Sequence, residues 1–155
     1  MNQKDSEIVK CQMIIRKPVE QVFQAFINPK ITTNFWFTKS SGKLEQGKTV
    51  AWEWEMYGHS TDIFVKEIIE NEKITIQWDS PPTNVDFEFE VLSENQTYVT
   101  ITQSGFNTTG DDLIASIKEN TGGFTTVSDG LKAYLEHDIN LNLIADKYPQ
   151  KRKDL

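Results

Sequence analysis

Residues 48–57 read KTVAWEWEMY, and their alternation decides the fold. Successive side chains of a strand point to opposite sides of a sheet. Val50, Trp52, Trp54 and Met56 therefore share one face, while Ala51, Glu53 and Glu55 share the other. The same division returns at 85–91, where Val85, Phe87, Phe89 and Val91 alternate with Asp86, Glu88 and Glu90. Such a sheet has one acidic, solvated face and one aromatic face, and the aromatic face needs cover.

Working outward, strands are predicted at 48–57, 61–69, 73–78, 85–92 and 97–103, with turn signals at Tyr57-Gly58, Glu70-Asn71-Glu72, Ser80-Pro81-Pro82 and Ser93-Glu94-Asn95. A first strand is expected over 7–16. Over 18–27 the apolar residues Val19, Val22, Phe23, Phe26 and Ile27 recur at spacings of three and four, the stripe of an amphipathic helix that Asn28-Pro29 stops. A short helical turn then leads into Phe35, Trp36 and Phe37. Asp111-Asp112 opens a second helical pattern, predicted to halt at Asn120-Thr121-Gly122-Gly123. A third runs from Phe124 through Val127, Leu131, Tyr134 and Leu135 to about Ala145. This last helix is the element long enough to cover the aromatic face, so the order assigns an α+β fold: a curved antiparallel sheet wrapped around a long C-terminal helix.

A chain of 155 residues fits one domain, and residues 1–155 are expected to form one, with mobile ends at 1–6 and 149–155. The 23 acidic and 16 basic residues leave a net charge of -7, which repels a phosphate backbone and argues against nucleic acid. The basic Lys151-Arg152-Lys153 is too short to change that. No run approaches the ~18 apolar residues of a membrane span, and MNQKDSEIVK lacks the apolar core of a signal peptide. A cytoplasmic protein that does not insert into membranes is expected. The single cysteine, Cys11, cannot form an intramolecular disulfide and reads as a buried structural thiol. The two histidines, His59 and His137, form no ligand spacing for a metal; no metal and no cofactor are expected.

The candidate ligand-binding residues are the inward aromatic set Trp36, Trp52, Trp54, Trp78, Phe87 and Phe89 with Met56, and Phe124, Val127, Leu131 and Leu135 of the last helix. Pockets are mostly apolar with a few polar orienting groups, and Gln103 shares the apolar phase of Val99 and Ile101, where its amide could orient a ligand. The same rings equally describe a filled core, and Gln103 equally a strand end satisfied by backbone. His59, beside the Tyr57-Gly58 turn, reads as a loop-tip histidine rather than a general base, because spacing identifies no nucleophile or paired acid. No catalytic residue is assigned.

Several stretches resemble one superfamily, the START-like or SRPBCC (Bet v 1-like, helix-grip) domains, and within it the homologues of the activator of heat-shock protein 90 ATPase. IIRKPVEQVFQAFINPKITTNFWF (14–37) looks like the family's opening strand, Pro, helix and Trp. GKTVAWEWEMYGHSTDIFVKEIIENEKITIQW (47–78) is similar to its hairpin strands closing on a Trp, and YVTITQSGF (98–106) to its late strand. GGFTTVSDGLKAYLE (122–136) resembles its final helix, with Phe124 where Trp is common. The resemblance implies a helix-grip fold with a hydrophobic cavity between sheet and C-terminal helix, used across the superfamily for lipids, sterols and polyketides. It points first to binding of a small hydrophobic molecule (lipid, sterol-like or aromatic). The alternatives are an enzyme of the polyketide cyclase or hydrolase type, and a chaperone-contacting domain using the acidic outer face.

Overall fold

In the computed structural model, which describes residues 8–149, the alternating stretches pair into one antiparallel sheet. The strands are β1 (Val9–Ile15), β2 (Lys39–Ser40), β3 (Thr49–Trp54), β4 (His59–Ile69), β5 (Lys73–Trp78), β6 (Thr83–Ser93) and β7 (Gln96–Ser104). Their spatial order is β1-β7-β6-β5-β4-β3-β2. The stretches expected to be mobile, 1–6 and all but the first residue of 149–155, lie outside the described residues. Register shifts between Val65 and Glu67 and between Val91 and Ser93 mark bulges, which bend a strand and increase its twist.

Inward phase follows the sequence except at Val91, which is 59% exposed at the bulge of β6: Val50, Trp52, Trp54, Ile63, Val65, Ile74, Ile76, Val85, Phe87, Phe89, Val99 and Ile101 are all buried. Between β1 and β2 lie α1 (Val19–Ile27), with Pro18 as its N-cap, and the single turn α2 (Pro29–Thr32). These helices deliver Phe23, Phe26, Phe35, Trp36 and Phe37 to the aromatic face.

The long helix differs from expectation. α3 (Gly110–His137) is continuous for 28 residues and runs straight through Thr121-Gly122-Gly123. Glycine costs a helix interior about 1 kcal/mol relative to alanine, but burial of Phe124, Val127, Ser128, Gly130 and Leu131 on its inner side outweighs that cost. Local hydroxyls help: Thr121, Thr125 and Thr126 donate to the carbonyls of Ile117, Thr121 and Gly122 at 2.6, 2.7 and 2.9 Å. The buried Cys11 thiol lies 3.5 Å from the Thr121 carbonyl and 3.4 Å from Thr125 Oγ1, joining β1 to this turn.

The helix also stops earlier than the pattern suggests. Asp138 adopts the left-handed conformation (φ 55°) and closes α3, and the chain turns into the short α4 (Leu143–Lys147). Met56 departs from its predicted strand as well. β3 ends at Trp54, and Glu55–Tyr57 form a 3-10 turn closed by the left-handed Gly58 (φ 60°), so Met56 leaves the phase of Trp52 and Trp54.

Candidate ligand-binding site

The aromatic face is mostly spent on packing. Trp52 stacks on Phe37 with centroids 4.3 Å apart, Phe26 lies 5.0 Å from Phe87, and Phe89 meets Phe23 at 5.5 Å. Trp36 sits at the hub, between 4.9 and 6.0 Å from Trp52, Trp78, Phe87, Phe124 and Phe37. Leu131 has no exposed surface, and Leu135 is half-buried against the same core.

What remains of the space between sheet and helix is an apolar pocket of about 90 Å³, open to solvent on one side and lined by Trp36, Trp78, Asn120, Gly123, Phe124, Val127 and Ile144. Each wall has a local cause. Trp78 is the last residue of β5, placed before the Ser80-Pro81-Pro82 turn; Phe124 and Val127 stand on the buried stripe of α3; Ile144 comes from α4. The Tyr57 hydroxyl donates to the Ile144 carbonyl, lies 3.2 Å from the Ala145 carbonyl and accepts from the Tyr148 amide at 3.3 Å, which fixes α4 over the opening. On the far side of α4 a second void of about 70 Å³ touches Trp36 and Met56.

Trp78 and Asn120 also belong to a broader groove of about 700 Å³ that opens to solvent and is lined by Trp54, His59–Asp62 and Asp79 among others. Here Gln103 finds its role. It is fully buried, its Nε2 donates to Thr83 Oγ1 at 2.9 Å and lies 3.5 Å from Asp79 Oδ2, and the Thr83 hydroxyl donates to the same Asp79 oxygen at 3.1 Å. The amide therefore addresses Asp79, not the cavity. Asp79 as a residue is exposed, with a left-handed backbone (φ 76°), but its carboxylate turns inward. Burial of that inward side pushes its pKa above the ordinary aspartate value, against the pull of the Thr83 hydroxyl and the His59 charge. His59 itself lies on Trp54, with centroids 5.7 Å apart.

Two buried polar atoms have no partner among the described residues in this region: Trp78 Nε1 and Gln103 Oε1. Most buried polar groups are paired, so these two atoms stand out, and one of them belongs to a residue that lines both pocket and groove.

Of the residues selected from sequence, Trp36, Trp78, Phe124 and Val127 meet at the small cavity, Trp54 and Trp78 at the groove, and Trp36 and Met56 at the void beyond α4. Trp52, Phe87, Phe89 and Leu131 are taken up in the core. Asp79, Asn120 and Ile144 were missed. Asp79 hides in a turn signal and Asn120 in an apparent helix break, while Ile144 reads as a continuation of the long helix. A polar residue directly after a strand-ending Trp is the one signal that could have drawn attention to Asp79.

Comparison with known proteins agrees with this architecture. The family described as "Activator of Hsp90 ATPase homolog 1-like protein" matches residues 16–136. Among solved structures, protein SSP2350 from Staphylococcus saprophyticus is similar at 28% identity, covering 86% of this chain and 95% of that one with a TM-score of 0.77. The Aha1 dimer from Colwellia psychrerythraea shares 21% identity over 81% of this chain and 96% of that one (TM-score 0.65). CalU16 from Micromonospora echinospora shares 16% over 88% and 79% (TM-score 0.67). No curated protein matches the sequence. The first helix, the hairpins and the gripping helix thus carry a relationship as well as a fold, and the chain belongs to the family of activator of Hsp90 ATPase homolog 1-like proteins.

Proposed function

We propose that this protein binds a small, largely apolar ligand whose ring or branched alkyl end enters the cavity beside Trp36, Trp78, Phe124 and Val127, and whose remainder lies in the groove by Trp54. The observation that carries the reading is the apolar pocket walled by Trp36, Trp78, Phe124 and Val127, which adjoins the groove at Trp78 and Asn120. The pocket volume limits the inserted group: an apolar cavity of about 150 Å³ holds a whole benzene, so about 90 Å³ takes the leading edge of one phenyl ring or a short alkyl end, the remainder lying in the open groove. A whole sterol or lipid tail is too large for it as it stands, which favours a small aromatic or short-chain molecule. A cytoplasmic location belongs to the same reading, supported by the lone thiol of Cys11. No helix among the described residues is long and apolar enough to cross a membrane.

Titration with 2-phenylethanol, followed by tryptophan fluorescence, tests the reading. Saturable quenching is expected in the millimolar range, and Trp78→Ala, which removes a wall shared by pocket and groove, should weaken binding through the lost apolar contact. No saturable response, together with native mass spectra of the purified protein free of any bound small molecule, would exclude the site.

A second reading, contact with a chaperone, is favoured by the family match and by Asp86, Glu88 and Glu90 on the outer sheet face. That face also carries Lys66 and Lys73, the latter 3.7 Å from Glu67, and so is mixed rather than uniformly acidic.

A further inference from the structure

Resting on the site proposed above, we infer that its occupant is an organic cation, whose apolar body enters the cavity and whose ammonium group lies in the groove between the Trp54 and Trp78 indoles and the Asp79 carboxylate. The sign of charge follows from the lining. Asp79 contributes its carboxylate to the groove, and among the described residues neither lysine nor arginine lines it. Indole faces attract cations through the negative face of the ring, and an anion placed here meets no permanently basic partner.

Asp79 is a built feature. Both of its side-chain hydrogen bonds fall on Oδ2, from the Thr83 hydroxyl at 3.1 Å and the Gln103 amide at 3.5 Å. A fully buried glutamine is thereby committed to orienting a surface carboxylate, with Gln103 Nε2 also holding Thr83 at 2.9 Å. Donors aimed at an oxygen favour its ionised form. Nevertheless the carboxylate has no cation: the ion pairs among the described residues are Lys48–Glu45, Lys73–Glu67 and Lys132–Glu136, none of which involves Asp79. Titratable neighbours are few. His59, lying on Trp54, is the group whose positive form acts on Asp79. An oriented carboxylate, desolvated on one side, sharing a groove with two indoles and without an ion-pair partner among the described residues, is complete once a ligand supplies one.

The test compares three probes of similar size: 2-phenylethylammonium, 2-phenylethanol and phenylacetate, each titrated against the intact protein by tryptophan fluorescence and calorimetry. The ammonium should bind about tenfold more tightly than the alcohol, the scale of one charge-assisted hydrogen bond, and phenylacetate weakest. The ammonium's advantage should shrink as salt is raised. Asp79→Asn, checked by thermal melt, should abolish that advantage, so that ammonium and alcohol bind alike. If alcohol and ammonium bind equally, or phenylacetate binds best, the cationic ligand is refuted while the site stands. If none of the three binds, the site falls and this inference with it. The parent protein's salt dependence decides the matter even if Asp79→Asn does not fold.

Discussion

Trp52 and Trp54 stand two residues apart on the same face of β3, yet their surroundings differ. Trp52 is 1% exposed and stacked on Phe37, whereas Trp54, 8% exposed, has the groove along one side. Truncating an aromatic ring in a filled core costs about 3–5 kcal/mol. Trp52→Ala should lose that amount, and Trp54→Ala clearly less, because part of the space around its ring is already empty. Urea titration of both variants measures the difference, and an equal loss would return Trp54 to the core and remove it from the site. The alternation of KTVAWEWEMY makes both rings inward-facing. It does not reveal which one has a neighbour on its far side, because that depends on where Phe37 and the groove fall in space.

At the scale of elements, the grip of α3 on β1 ends in a small polar clasp. Glu136 Oε2 accepts from the Arg16 amide at 2.8 Å and from Lys132 Nζ at 2.7 Å, and Lys132 also donates to the Ile14 carbonyl at 2.9 Å. Burial pushes the Glu136 carboxyl up, but the Arg16 amide and the Lys132 ammonium together hold its pKa below the ordinary glutamate value. A depressed pKa contributes stability above the unfolded-state value that is lost as pH falls through the folded one. The parent should therefore lose this contribution on acidification below the ordinary glutamate range, and Glu136→Gln should lack that part of the pH dependence. Thermal melts of both proteins across that window check it; identical profiles would show the clasp to be idle. The helix itself was legible as an apolar stripe, but its length was not. Gly122-Gly123 signals a break locally, and only the burial of Phe124 and Val127 against a sheet distant in sequence makes the turn helical.

For the molecule as a whole, the sheet phases, the family and the gripping role of the last helix could all be read from the chain, because they rest on periodicity and on motifs in order. The site could be read only in part. Trp36, Trp78, Phe124 and Val127 were legible as inward rings and stripe residues, whereas Asp79, Asn120 and Ile144 acquire a role only when β5, α3 and α4 converge. Close approach makes its own demand there: a Cβ on Gly130 would come within 3.2 Å of Phe35 Cβ and of its carbonyl oxygen, so a side chain at that position would have to push Phe35 back by a few tenths of an ångström.

Gly123 poses the opposite case. It lines the cavity, its backbone is ordinary helix, and a Cβ added there would meet nothing within 4 Å. Gly123→Ala should therefore raise thermal stability by about 0.5–1 kcal/mol, while its methyl group occupies part of the space a ligand would use. Melting temperature and affinity should move in opposite directions in this one variant. Natural proteins forgo such easy stabilisation where function opposes it. On these terms the glycine marks room kept open at the expense of helix strength, and the weakest turn of the longest helix becomes the place where stability and occupancy compete.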